Sequence, residues 1–105
     1  MTTIDLSLED LATVTSILRR HIPELEVRAF GSRVFGKARK TSDLDLALMT
    51  DRPLELLRLA DLREAFIESD LPFKVDLVDW AAASDSFRRI IERSFVVILP
   101  KPPNP

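Results

Sequence analysis

The chain's only two glycines, Gly31 and Gly36, lie five residues apart in the stretch AFGSRVFGKARKTSDLDLALM. Glycine loses more backbone entropy on folding than any other residue, so a chain with only two is expected to keep them where the backbone needs them. Residues 25–30 before the pair and residues 43–49 after it both alternate side chains with the period of two that is typical of strands. The pattern predicts two strands joined by a short connection that depends on glycine.

The remaining segments predict helices and strands in alternation. Residues 7–22 repeat apolar side chains at helical spacing and begin with a capping-box-like Ser7 and Asp10. A second helix is predicted to begin near Asp51 and Pro53 and to run through 54–69. A strand at 73–80, a short helix at 84–94 and a strand at 95–99 complete the pattern. The side chains expected to face the core are Leu8, Leu11, Thr15, Leu18 and Ile22 in the first helix, Leu59, Leu62 and Phe66 in the second, and Phe87, Ile90 and Ile91 in the third.

Length and composition exclude several classes of protein. The 105 residues suit a single α/β domain, expected at 1–99, followed by an extended proline-rich tail at 100–105. Cysteine is absent, so disulfides and thiolate metal sites are excluded. The net charge of −2 gives no evidence for nucleic-acid binding. No apolar run reaches the ~18 residues of a membrane span and no secretion signal begins the chain, so a cytoplasmic location is expected.

A phosphate-binding turn is predicted at the first glycine. A strand that ends at Gly31 and turns into a short helix presents free backbone N–H groups to an anion. Gly31 would let the backbone approach a phosphate oxygen, Ser32 would add a hydroxyl donor and Arg33 a cation. Gly36 would end the short helix in a left-handed conformation. The basic residues around Gly36 are expected on a solvated turn, where one or two of them would suffice to contact phosphate. They are Arg33, Lys37, Arg39 and Lys40.

Two aspartates follow at a spacing that suggests a metal site. Asp43 and Asp45 would share one face of a strand, where their like charges repel unless a divalent cation lies between them. Leu44, Leu46 and Leu48 would lie on the opposite face and anchor the strand in the core. Asp76, in the middle of the 73–80 strand, is the candidate third ligand and the candidate activator of an attacking hydroxyl. Asp79 is expected to cap or end that strand. A phosphate cradle followed by such carboxylates indicates nucleotidyl transfer with two metal ions.

Two simpler interpretations remain open at this level. The Asp-x-Asp pair could be an acidic strand edge with no function. The stretch GSRVFGKA also nearly matches the P-loop pattern, which would predict release of the γ-phosphate. That pattern fails at Ala38, where a hydroxyl should contact Mg²⁺, and no long helix follows Lys37.

The stretch GSRVFGKARKTSDLDLALM resembles the signature of the DNA polymerase β-like nucleotidyltransferase superfamily, and more narrowly the minimal nucleotidyltransferases of the MNT type. The downstream segment ESDLPFKVDLVDWAAASDSFRRIIERSFVVI is similar to the second half of such proteins. The resemblance implies a polymerase β-like fold, a small mixed sheet flanked by helices. It also implies a nucleoside triphosphate donor such as ATP, with Gly31 and Ser32 at its phosphates and two Mg²⁺ ions on Asp43, Asp45 and Asp76.

The resemblance further implies a partner. Minimal nucleotidyltransferases are similar to one half of a two-gene system whose other half is a small helical protein of the HEPN or substrate-binding type. In some pairs the helical protein is a toxin, which the nucleotidyltransferase silences by transferring AMP to it. A non-enzymatic antitoxin that only occludes its partner is the alternative. The sequence leaves the donor base open, and the acceptor could be a protein hydroxyl or a small molecule such as an aminoglycoside.

Overall fold

A computed structural model of the chain describes residues 4–36, 39 and 42–103. The predictions for Lys37, Ala38, Lys40 and residues 104–105 lie outside the described residues. In chain order the elements are α1 (Leu8–His21), β1 (Val27–Phe30), α2 (Ser32–Phe35), β2 (Leu44–Leu48), α3 (Leu56–Ile67), β3 (Val75–Asp79), a 3-10 turn (Trp80–Ala82), α4 (Asp85–Arg93) and β4 (Val96–Leu99).

The four strands form one mixed sheet in the order β3-β2-β1-β4. β1 lies antiparallel to both β2 and β4, whereas β3 lies parallel to β2. A parallel pair needs a crossover connection, and α3 supplies it between β2 and β3. The predicted mixed sheet flanked by helices is therefore confirmed.

The two faces of the sheet are buried by different helices, as the alternation in β2 predicts. Leu44, Leu46 and Leu48 are fully buried on one face. They belong to the main core, together with side chains of α1 and α3 such as Leu18 and Leu62. A smaller cluster on the other face consists of Phe30, Ala47 and Ile91 of α4. Asp43 and Asp76 are exposed, so part of this second face remains open around the predicted aspartates.

The predicted cap of α1 is confirmed, but its predicted apolar stripe is partly wrong. Ser7 accepts a hydrogen bond from the amide of Asp10 at 3.0 Å. Leu18 and Ile22 are fully buried as predicted, whereas Leu8 is 87% exposed and Val14, which lies outside the predicted stripe, is fully buried. At 3.6 residues per turn, Leu8 lies about 120° around the helix axis from Val14, so the two side chains cannot face the same core. In α4 Ile91 is fully buried while Ile90 is 49% exposed, for the same geometrical reason.

The predicted start of α3, near Asp51 and Pro53, is also wrong. The helix begins at Leu56, so Pro53 lies before its first turn. The segment before α3 is fixed by Asp79, whose carboxylate accepts hydrogen bonds from the Thr50 hydroxyl and, at 2.6 Å, from the Leu54 amide. These bonds hold the chain extended against the end of β3, and the helix begins only beyond them. They also confirm that Asp79 ends its strand in a structural role.

The chain beyond β4 carries no helix or strand over residues 100–103. Among the described residues, no helix is both long and apolar enough to cross a bilayer.

Candidate active site

The structure brings the predicted acidic residues together across two strands. In the parallel pairing of β2 and β3, Asp45 lies directly opposite Asp76. Paired residues on neighbouring strands project to the same face, at a strand spacing of ~4.8 Å. Asp43 lies two residues before Asp45, at the start of β2, and is exposed, as is Asp76. The two strands thus place carboxyl groups side by side on the open part of the sheet.

The pKa of one of these carboxyl groups, that of Asp45, is strongly shifted. Partial burial raises the pKa of Asp45 to about 6, and the negative charges of Asp76 and Asp43 add to the effect. Asp45 is the inner member of the group, since it lies half-buried while its two neighbours are exposed. A bound cation would reverse the sign of these interactions and favour the ionised carboxylate.

The donor set suits a hard divalent cation such as Mg²⁺. Carboxylate oxygens are its preferred protein ligands, and Mg²⁺ commonly binds through one or two of them while water and substrate phosphate complete the shell. Within the described ranges no three His, Cys, Asp or Glu side chains already form a ligand cluster. The protein therefore offers an incomplete, open set of oxygen ligands, to which phosphate oxygens can be added.

Gly31 is required by the carboxylate of Asp45 as well as by the backbone. Its φ of 83° and ψ of −156° lie in a region that is essentially restricted to glycine. A Cβ placed on Gly31 would overlap Asp45 Oδ2 and lie 3.2 Å from Asp45 Cγ. The sequence predicted room for a phosphate at this position. The structure shows that the room also accommodates the Asp45 side chain, which faces Phe30 and Gly31 across the β1–β2 pair.

The short helix and its end are confirmed. α2 begins at Ser32, directly after Gly31, and ends at Gly36, which is left-handed with φ 76° and ψ 18°. The amide of Gly36 donates to the carbonyl oxygen of Ser32. No described atom comes within 4 Å of a Cβ placed on Gly36, so only its backbone conformation calls for glycine. The phosphate contacts expected of Gly31 and Ser32 stay a prediction.

Arg33 does not lie on a solvated turn, and that prediction is wrong. Its residue is only 6% exposed. The guanidinium Nε donates to the Ser42 carbonyl at 3.0 Å, another guanidinium nitrogen donates to the Asp5 carbonyl at 2.8 Å, and the group lies 4.2 Å from the centroid of the Phe73 ring. Arg33 therefore joins α2 to the N-terminal segment and to the residue before Asp43. The phosphate contact expected of Arg33 remains a prediction, and these contacts indicate a positioning role. Arg39 is exposed, in agreement with a solvated turn.

Sequence reasoning missed this junction because the Asp5 and Ser42 carbonyls that accept from Arg33 are main-chain groups outside its own helix. No motif marks such an acceptor. The available signal was that Arg33 directly follows Gly31-Ser32 on a helix of only four residues, where one side of the helix must face the sheet.

Replacing Arg33 by Lys tests the positioning role. Lys keeps the charge but lacks the planar fork that reaches two carbonyls while stacking on Phe73. We expect the free energy of unfolding to fall by about 1–3 kcal/mol, because buried acceptors lose a charged donor. Urea unfolding measures this, with Arg39→Lys on the exposed turn as the matched control, for which a change within about 0.5 kcal/mol is expected. Equal stabilities of the two variants would contradict the role.

The fold and the site together define a class of protein. Carboxylates on adjacent parallel strands, open to solvent and next to a glycine turn that leads into a short helix, are suited to bind a metal–triphosphate and to support transfer of a phosphorus group.

Comparison with known proteins identifies the family. The family model described as "Polymerase beta, Nucleotidyltransferase" matches residues 12–104. The chain belongs to this family and is a nucleotidyltransferase, which confirms the resemblance seen in the sequence. Enzymes of the family generally use a divalent metal.

Individual relatives narrow the resemblance to the MNT type. The chain is 53% identical over 98 residues to a "Probable protein adenylyltransferase MntA" of Haemophilus influenzae, covering 93% of this chain and 86% of the relative. A crystal structure of a toxin–antitoxin with AMP-PNP superposes with a TM-score of 0.71 at 27% identity, over 85% of this chain and 72% of the other. A tri-AMPylated Shewanella oneidensis HEPN toxin in complex with an MNT antitoxin gives a TM-score of 0.66 at 25% identity, over 86% and 69% of the two chains.

Proposed function

We propose that this chain transfers AMP from ATP to a hydroxyl group of a small helical HEPN-type protein and acts as the antitoxin of that pair. The observation that carries the proposal is the pairing of Asp45 with Asp76, beside Asp43 and against Gly31. The protein adenylyltransferase name of the Haemophilus influenzae relative and the HEPN complex among the similar structures support the protein acceptor.

In this proposal Asp43, Asp45 and Asp76 hold two Mg²⁺ ions. When bound, the ions neutralise charge that develops at the α-phosphate and on the departing pyrophosphate. The interaction of the three charges at Asp45 supports this assignment, because the carboxylates repel each other in the absence of a cation. Gly31 and the backbone amides that begin α2 would face the phosphates, and the Ser32 hydroxyl would donate to one of them. Arg33, the other nucleotide contact expected from the sequence, is proposed to hold Ser42 and hence the start of β2.

The reaction is a substitution at the α-phosphorus. The acceptor hydroxyl oxygen forms a bond to this atom as the bond to the bridging oxygen of pyrophosphate breaks. Pyrophosphate leaves with that electron pair, and the hydroxyl proton passes to the Asp76 carboxylate. Asp76 suits this role because it is exposed on β3, at the edge of the sheet, where an acceptor can reach it. The product is an AMP ester of the acceptor.

The proposal has consequences for organisation and location. We take residues 1–99 as the catalytic domain and 100–105 as an extended tail, since the last strand ends at Leu99 and residues 100–103 carry no regular structure. ATP as the donor fits a cytoplasmic protein.

A double-label experiment tests the function. The chain and its HEPN-type partner are incubated with Mg²⁺ and with ATP labelled at either the α- or the γ-phosphate. We expect a partner band labelled only from α-ATP, absent with Asp43→Asn/Asp45→Asn. Labelling that persists in this variant would contradict the proposed site, and label from γ-ATP would contradict AMP transfer. A partner that stays unlabelled yet is neutralised by the variant as well would establish occlusion instead.

A further inference from the structure

The outer edge of β3 is an unpaired sheet edge that begins beside the proposed catalytic group. β3 is the last strand in the sheet order, and among the described residues its only strand partner is β2. The Leu44 amide donates to the Lys74 carbonyl at 2.9 Å. Along a strand, the main-chain N–H and C=O groups of successive residues point alternately toward and away from the neighbouring strand. Because the Lys74 carbonyl points toward β2, the main-chain groups of Val75 and Leu77 point away from it. Within the described ranges, no hydrogen bond reaches these outward groups.

A groove runs along this same edge. It is a cavity of about 450 Å³ between β3 and the C-terminal part of α3, and Asp76 is part of its wall. Its lining is mainly apolar, with two cations, and includes Phe66, Ile67, Leu71, Phe73, Arg63 and Lys74. Ile67 is 79% exposed. A large exposed aliphatic side chain in a groove that extends to Asp76 is typical of a surface that binds a partner.

We propose that the β3 edge receives an extended segment of the acceptor protein as an added strand, which brings the acceptor hydroxyl to Asp76. This inference rests on the proposed function. Strand addition would satisfy the outward main-chain groups of Val75 and Leu77. It would also exclude water from the groove, and it fixes the register between the incoming segment and Asp76.

The geometry of an added strand specifies the chemistry of the segment. A residue paired with Asp76 projects to the same face as its carboxylate, so this residue carries the hydroxyl. Its two sequence neighbours project to the opposite face, toward Val75, Leu77 and the groove, and are therefore apolar. Arg63 and Lys74 favour an acidic residue next to this motif. The occupant is thus an extended peptide with a hydroxyl residue between two apolar residues.

A matched pair of variants on α3 tests the docking surface. Ile67→Arg places a charge in the groove, while Leu56→Arg changes an equally exposed apolar residue, 84% exposed, at the other end of the same helix. We expect Ile67→Arg to lower kcat/KM for AMP labelling of the HEPN-type partner by about tenfold or more, as for a central interface residue. Leu56→Arg should change it less than about twofold. The thermal shift produced by Mg²⁺-ATP should be the same in both variants and in the wild type. Equal labelling by the two variants would overturn the proposal and leave the proposed function intact.

Amide hydrogen exchange of the complex separates docking from catalysis. Partner binding should slow exchange at the outward amides of Val75 and Leu77 by about tenfold or more, with little change at Asp76 and Val78, which already bond to β2. The same slowing of exchange is expected with a partner that accepts no AMP, so this measurement tests docking independently of AMP transfer. A complex that forms without protecting Leu77 would overturn the proposal. Protection that appears at high concentration of this chain alone, with dimer formation, would also overturn it by assigning the edge to a second copy.

Discussion

Asp45→Asn should make the metal-free protein more stable while it removes nucleotidyl transfer. Partial burial of the carboxyl group, together with the negative charges of Asp76 and Asp43, raises its pKa to about 6 from 3.8. Ionising it in the folded protein costs at most about 3 kcal/mol at 1.36 kcal/mol per pKa unit. Because Asp45 is only half-buried, we expect a gain of about 1–2 kcal/mol in the free energy of unfolding at pH 8.

The sign of the pH dependence follows from the direction of this shift. Since the pKa of Asp45 is higher in the folded than in the unfolded state, folding binds a proton between these values, and stability falls as pH rises from about 4 through 6. The difference between Asp45→Asn and the wild type should therefore be small at pH 4 and reach its full value above about pH 7. Urea unfolding in EDTA at several pH values measures it. Asp61→Asn, at an exposed aspartate on α3, is the matched control. A difference that is independent of pH would contradict the explanation.

Metal should reverse the order of stabilities. If Asp43, Asp45 and Asp76 hold a cation as proposed, its charge offsets the repulsion at Asp45, so Mg²⁺ with ATP should raise the Tm of the wild type more than that of Asp45→Asn. Transfer should fall by about a thousandfold in the variant, because the metal contributes several kcal/mol to the transition state. In the proposed site the same arrangement is therefore unfavourable for the empty fold and needed for the reaction.

Gly31→Ala should be the most damaging substitution at the two glycines. Its backbone lies in a region that costs about 1–3 kcal/mol for a residue with a side chain. The new Cβ would also displace the Asp45 carboxylate from its place against the turn. We expect transfer to fall by about a hundredfold or more and the free energy of unfolding to fall by about 2–4 kcal/mol.

Gly36→Ala is the matched control, because this glycine also has a positive φ but has open space where the Cβ would lie. Its cost should be about 1 kcal/mol, with transfer largely retained. In an Asp45→Ala background, the steric part of the Gly31→Ala cost should disappear and only the backbone part remain. Urea unfolding of the four proteins in the Gly31–Asp45 cycle measures the coupling. Strictly additive effects would contradict the close contact between Gly31 and Asp45.

Most of the fold was predictable because it depends on local periodicity. The strand at 43–49 placed Leu44, Leu46 and Leu48 on a buried face from their spacing alone, and the structure confirms that face. Errors arose where a long-range contact decides the local structure. Asp79 holds Thr50 and Leu54 and so delays the start of α3, although the local sequence favours an earlier start. The exposure of Leu8 likewise depends on how α1 is rotated against the sheet.

In the candidate site, too, the residue types were predictable from the sequence and their long-range contacts were not. Composition and spacing singled out Gly31, Asp43 and Asp45, because a glycine turn at this distance before two carboxylates on one strand face is a far more specific pattern than either part alone. Asp76 was singled out as an acid in the middle of a strand whose neighbouring residues are apolar. The sequence could not determine that Asp45 lies directly opposite Asp76, because strand register depends on how the whole sheet packs. Nor could it show the contact between Gly31 and the Asp45 side chain.

The sequence by itself determined the order of the elements, the buried face of β2 and the residue types that can bind a metal–nucleotide, because backbone conformation and side-chain chemistry are local properties. Only the tertiary structure decided three further points. It used Arg33 to join α2 to the residue before Asp43, it raised the pKa of Asp45 through burial and two neighbouring charges, and it left the edge of β3 open beside Asp76. Each of these depends on distances between residues far apart in the chain, which are fixed only when the sheet and its helices pack together.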